Sequence, residues 1–88
     1  MLTGTTSSGF HWQIEEDALD DMELLDALSE IDRGKLDAVS PACLHLLGKE
    51  QRAALYDHRR DERGRVRISA VSDELGEIIA GMRDGPKS

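Results

Sequence analysis

Phe10, Trp12 and Ile14 alternate with His11, Gln13 and Glu15, and a period of two places the three apolar side chains on one face of a strand. Ser7-Ser8-Gly9 just before it is a turn signal, and Leu2 to Thr6 carries strand-prone threonines. Residues 2–15 are therefore predicted to form a β-hairpin. A lone hairpin is marginal in water. Its Phe/Trp/Ile face must pack on helices, or one of its edges must pair with another chain.

Beyond residue 15 the apolar spacing becomes helical. Leu19, Met22, Leu24, Leu25, Leu28 and Ile31 interleave with carboxylates, which predicts an acidic helix over 16–33 that buries one side. Glu16 or Asp17 caps it, and Gly34 offers a left-handed stop. Ser40-Pro41 is an N-cap followed by a first-turn proline, and Leu44, Leu46 and Leu47 lead to Gly48, a short helix of about two turns. A third helix spans Lys49 to Arg63 and stops at Gly64. After an extended Val66-Arg67-Ile68, Ser69 caps a fourth helix in which Val71, Leu75, Ile78, Ile79 and Met82 form the cleanest apolar stripe of the chain. The expected fold is mainly α: an N-terminal β-hairpin packed on a small bundle of about four helices. Residues 1–84 form one domain, with 40–83 its helical part and 85–88 a disordered tail.

Charge sharpens this picture. Between Glu15 and Asp32 there are nine acidic residues and no basic one. A solvated acidic tail would lack the large apolar side chains found here, so the segment reads as a helix that presents dense negative charge to something. Asp26 and Glu30 sit toward its C-terminal end, where the helix dipole makes each unfavourable by a few tenths, roughly, of a kcal/mol. The net charge of −7 over 88 residues argues against a nucleic-acid binder that neutralises phosphates, and against an anionic membrane surface. Cys43 is the only cysteine, which rules out an intrachain disulfide. With no leader-like N-terminus and no long apolar run, the chain is expected in the cytoplasm.

Candidate chemistry is sparse. Cys43 and His45 are two apart, which on a helix turns them roughly 200° from each other. A metal site would need His11 and His58 as well, so neither metal nor cofactor is expected. No nucleophile elbow, phosphate loop or zinc-protease motif occurs, and the crowded carboxylates lack a desolvated pocket; the chain does not read as an enzyme. Lys49–Arg67 holds seven bases against four acids, with no interleaved aromatic to stack on bases. Its arginines instead suit the acidic helix, in the same molecule or in a neighbour, which makes homo-oligomers through charge an expectation. Arg59 falls one turn after Leu55, on what should be an apolar stripe; either the stripe ends there or Arg59 is at an interface. The candidate partner-binding residues are Glu23, Asp26 and Glu30 on the acidic helix and Arg59, Arg60 and Arg63 in the basic segment. Trp12 reads as core.

Four stretches, Ser8-Gly9-Phe10, Glu16-Asp17-Ala18-Leu19-Asp20-Asp21-Met22-Glu23-Leu24-Leu25, Leu46-Leu47-Gly48-Lys49-Glu50-Gln51 and Asp61-Glu62-Arg63-Gly64-Arg65-Val66, resemble the tail assembly chaperones of long-tailed bacteriophages and prophages. The resemblance covers Ser8 to about Met82. It implies a non-enzymatic, mainly helical protein that coats the tape-measure protein, helps recruit tail-tube subunits and leaves before the virion is complete. It also implies an apolar residue where Arg59 stands, and a second, longer product made by ribosomal slippage, for which Gly85-Pro86-Lys87 has permissive codons. The competing reading is a small acidic regulator, antitoxin-like or a nucleic-acid mimic, that occupies a basic cleft.

Overall fold

Thr6 to Gly9 turn the chain through 180°: the Thr6 N–H donates to the Phe10 carbonyl (3.0 Å), the Gly9 N–H donates to the Thr6 carbonyl (2.9 Å), and Gly9 takes φ +95°. This turn joins β1 (Leu2–Thr5) to β2 (His11–Ile14), antiparallel with Leu2 opposite Ile14 and Gly4 opposite Trp12. The computed structural model describes residues 1–84; the expected tail at 85–88, with its Gly85-Pro86-Lys87, lies outside them. Phe10, Trp12 and Ile14 are all buried, as their alternation predicts, and Trp12 is core. The hairpin packs on helices, and part of one edge is covered from within. Gln51 fits its carboxamide against β2, accepting from the Gln13 N–H (2.8 Å) and donating to the Gln13 carbonyl (2.6 Å), which occupies groups that would otherwise recruit a foreign strand.

The acidic helix is shorter than expected. α1 runs Met22–Asp32 and is capped by Asp21, whose carboxylate accepts from the N–H groups of Glu23 (2.9 Å) and Leu24 (3.2 Å). Residues 15–20 form turns instead, tied by Ala18 N–H to the Glu15 carbonyl and Asp20 N–H to the Asp17 carbonyl. In a helix they would stack Glu16, Asp17, Asp20 and Asp21 at repulsive three- and four-residue spacings. At the other end Gly34 (φ +86°) and Lys35 donate to the Ile31 and Glu30 carbonyls, the glycine stop that was expected.

After a 3-10 turn at Leu36–Ala38, α2 runs Val39–Arg59. The two expected helices are its halves, separated at Gly48, whose φ of 84° and ψ of 168° no helix contains. Pro41 lies in the first turn, where its missing N–H has no partner to lose. Ser40 is not the cap. Its hydroxyl accepts from Arg52 (3.1 Å) and from the Tyr56 hydroxyl (2.8 Å), tying the two halves together. The second half ends at Arg59, four residues before Arg63, because the Asp61 carboxylate accepts from the N–H groups of Arg63 and Arg65 (2.9 Å each) and folds a turn closed by the Arg60–Val66 bridge. Such local side-chain bonds compete with helix continuation.

α3 runs Ile68–Asp84, starting one residue before Ser69. Val71, Leu75, Ile78 and Met82 are buried as the stripe predicts, in one cluster with Phe10, Trp12, Leu24, Leu46 and Leu55. α2 packs against α1, α3 and β2, and α3 also against β1. Ile78 is fully buried, so Ile78→Ala is expected to destabilise the fold by about 2–5 kcal/mol, measured by urea denaturation followed by circular dichroism. A loss below roughly 1 kcal/mol would place Ile78 at the periphery. Among the described residues no helix is long and apolar enough to cross a membrane.

Candidate interaction surface and buried polar centre

α1 meets the core through Leu24 and Ala27, with Leu28 and Ile31 half-buried. It does not bury all of its apolar side chains: Met22 is 66% exposed and Leu25 53%, and Leu19, in the turns before it, is 39% exposed. These side chains lie among carboxylates that have few cations to meet. Of the nine acids in Glu15–Asp32, Glu16 contacts the N-terminal ammonium (3.3 Å), Glu30 pairs with Lys35 (3.0 Å), and Asp21 lies 3.6 Å from His45. The Glu30 hydrogen bond and charge also raise the Lys35 ammonium above its ordinary range. Glu23 and Asp26 are exposed and make no ion pair among the described residues.

The basic segment is largely occupied internally. Arg60 pairs with Asp57 (3.0 Å) and donates to the Gly64 carbonyl (2.8 Å); Arg67 lies 3.6 Å from Asp61; Arg52 is bound to Ser40. Hydrogen bonds from the Arg65 and Arg63 N–H groups, with the nearby Arg67 charge, hold the Asp61 carboxyl below the usual range despite some desolvation. Lys49, Arg63 and Arg65 make no ion pair among the described residues. The arginines thus meet acids of α2, its following turn and α3, and none meets α1.

Arg59, a candidate surface contact from sequence, turns inward. Its guanidinium meets the carboxylate of Glu74 on α3, which is 0% exposed. Glu74 also accepts from the Thr6 hydroxyl (2.7 Å) and the Ser8 hydroxyl (2.8 Å) of the hairpin turn. One turn further on, Glu77 accepts from the Ser7 N–H and hydroxyl (2.8 Å each). Burial pushes the Glu74 carboxyl up, but the bonds from Thr6, Ser8 and Arg59, with the Arg59 charge, outweigh it and leave the carboxyl below its ordinary range. Arg59 stands where an apolar residue was expected because its partner occupies the apolar stripe of the facing helix. The signal was available in sequence: Glu74 follows Val71 by three and precedes Ile78 by four, on the same face.

Ser8, His58 and Glu74 bring a hydroxyl, an imidazole and a carboxylate together without forming a nucleophilic triad. The Ser8 hydroxyl donates to Glu74, and His58 Nε2 lies 3.1 Å from both the Ser8 hydroxyl and the Ser8 carbonyl. A carbonyl only accepts, so Nε2 carries a proton in that contact and is no base for Ser8. Cys43 is fully buried and its thiol is pushed up to about 11 by desolvation, with Arg52 pulling weakly the other way, so it is not a thiolate at neutral pH. The donor atoms of Asp21, Glu23 and His45 lie within 4.8 Å of one another, a grouping absent from the sequence-based expectation, in which His45 stood with Cys43, His11 and His58 and no carboxylate was included. Asp21 already caps α1 there, and the positive end of the helix dipole opposes a cation.

No family model, curated protein or solved structure matches the chain.

Proposed function

We propose that this chain is a non-enzymatic protein-binding factor, a tail assembly chaperone of a long-tailed phage or prophage. Its client is the tape-measure protein, with tail-tube subunits recruited to the complex, and it acts in the cytoplasm of the bacterial host, outside the finished virion. The observation that carries this reading is the acidic surface of Glu15–Asp32, where, among the described residues, nine carboxylates meet one lysine, one terminal ammonium and one imidazole from the same chain. Acidic and apolar groups held unpaired on a folded surface serve binding better than stability, and the order of short motifs along the chain resembles that family. Neither metal nor cofactor has a part in it.

Co-expression with the product of an adjacent tape-measure gene tests the proposal. The client is expected to be soluble and to co-purify with this chain, and to precipitate when expressed alone. A client that precipitates equally in both cases would overturn it. A nuclease or toxin gene alongside, with the product inhibited by this chain, would support the acidic-inhibitor reading, which rests on the same surface. The slippage proposal is decided by the nucleotides: a slippery run at Gly85–Lys87 with an overlapping frame supports it, and their absence refutes it.

A further inference from the structure

We propose that the outer face of α1 docks a basic amphipathic helix of a partner protein. This rests on the protein-binding reading above and specifies the face and the kind of partner. Met22, Leu25 and Ser29 follow one another at i, i+3 and i+7, within about 60° of each other around the helix and opposite the buried Leu24 and Ala27 and the half-buried Ile31. That is the spacing of a helix-packing seam. Met22 and Leu25 are the exposed apolar pair on it, and Asp26 lies beside them with Glu23 on its flank. Arg33, one turn beyond Ser29, marks where the acidic stripe ends.

Charge decides the occupant. A second copy's α1 would set the same carboxylates against each other. The basic segment of a second copy has Arg59, Arg60 and Arg67 already in ion pairs, its remaining cations Lys49, Arg63 and Arg65 have no exposed large apolar side chain between them, and the chain as a whole carries −7. A foreign segment with lysines or arginines around two or three large apolar side chains satisfies both halves of the surface. It is helical because a convex helix face offers no backbone donors or acceptors to an extended strand, whereas side-chain ridges of a second helix interlock with it.

The probe is a fluorescent 18-residue peptide of lysine and leucine in helical amphipathic order, compared with a charge-matched peptide in which every leucine is serine. Binding is read by anisotropy at about 150 mM salt, where longer-range attraction between exposed charges is screened. The intact chain is expected to prefer the amphipathic peptide by about tenfold, the effect of partly burying two large apolar side chains. Met22→Ser/Leu25→Ser is expected to remove that preference and keep the weak binding common to both peptides. Equal binding of the two peptides by the intact chain, or an unchanged preference in the double variant, would overturn the proposal. Amide shifts in 1H–15N spectra of the unaltered chain give a second readout: changes centred on residues 19–29 support the site, and changes centred elsewhere overturn it. The peptide assay does not involve the tape-measure protein. A client that fails to co-purify beside intact peptide discrimination removes the phage reading and leaves the site, while a client that co-purifies without peptide discrimination does the reverse.

Discussion

Arg59→Met is expected to destabilise the fold by about 3–5 kcal/mol, because it leaves the Glu74 carboxylate buried with only two hydroxyls as partners. Glu74→Met is expected to cost less, about 1–3 kcal/mol. Arg59 keeps 29% of its side chain exposed and can turn its charge to water, while Thr6 and Ser8 lose their acceptor. The double variant, Arg59→Met with Glu74→Met, should be more stable than Arg59→Met alone, since an apolar pair needs no compensating charge. Urea denaturation read by Trp12 fluorescence measures all three, and a double variant no more stable than Arg59→Met would exclude an isolated charge as the cause. The pair also sets an acid limit. The folded Glu74 carboxyl lies below its ordinary value of 4.5, so its contribution is present in full above that value and lost as pH falls through the lower folded value. Glu74→Met should therefore flatten the loss of stability in this acidic range.

Trp12→Ala should remove about 3–5 kcal/mol, a large part of what a domain of this size has. Trp12 is 5% exposed and fills the space between β1 and α3 where both backbones carry glycine. A Cβ on Gly4 would come within 2.7 Å of Trp12 Cε2, against an indole that is itself packed in the core, whereas one on Gly81 would stand 3.2 Å from Cζ2. Gly4→Ala is expected to cost about 1–3 kcal/mol through overpacking. In Gly81→Ala the milder contact is offset by alanine's helix propensity, worth about 1 kcal/mol over glycine. Thermal melts of the two variants should rank them in that order. A Gly4→Ala protein as stable as the parent would mean that the indole moves aside freely.

Sequence by itself determined the elements whose cause is local. The alternation of Phe10, Trp12 and Ile14, the glycines at 34 and 48, and the stripe through Val71, Leu75, Ile78 and Met82 each reflect constraints set within a few residues, whereas the stop expected at Gly64 is pre-empted at Arg59 by the Asp61 turn. The broken α2 was legible for the same reason, since Gly48 takes a backbone conformation that favours glycine. The start of α1 was not, because a run of carboxylates supplies several caps of equal quality and only like-charge crowding selects Asp21. Nor did local pattern settle which apolar residues of the acidic segment are buried. That depends on the angle at which α1 lies on α2, which covers Leu24 and Ala27 and leaves Met22 and Leu25 outside. The Arg59–Glu74 pair is the clearest case. Each residue alone contradicts its helix, and both belong there because two helices and a hairpin turn converge on one point, where opposite charges and two hydroxyls satisfy one another away from water.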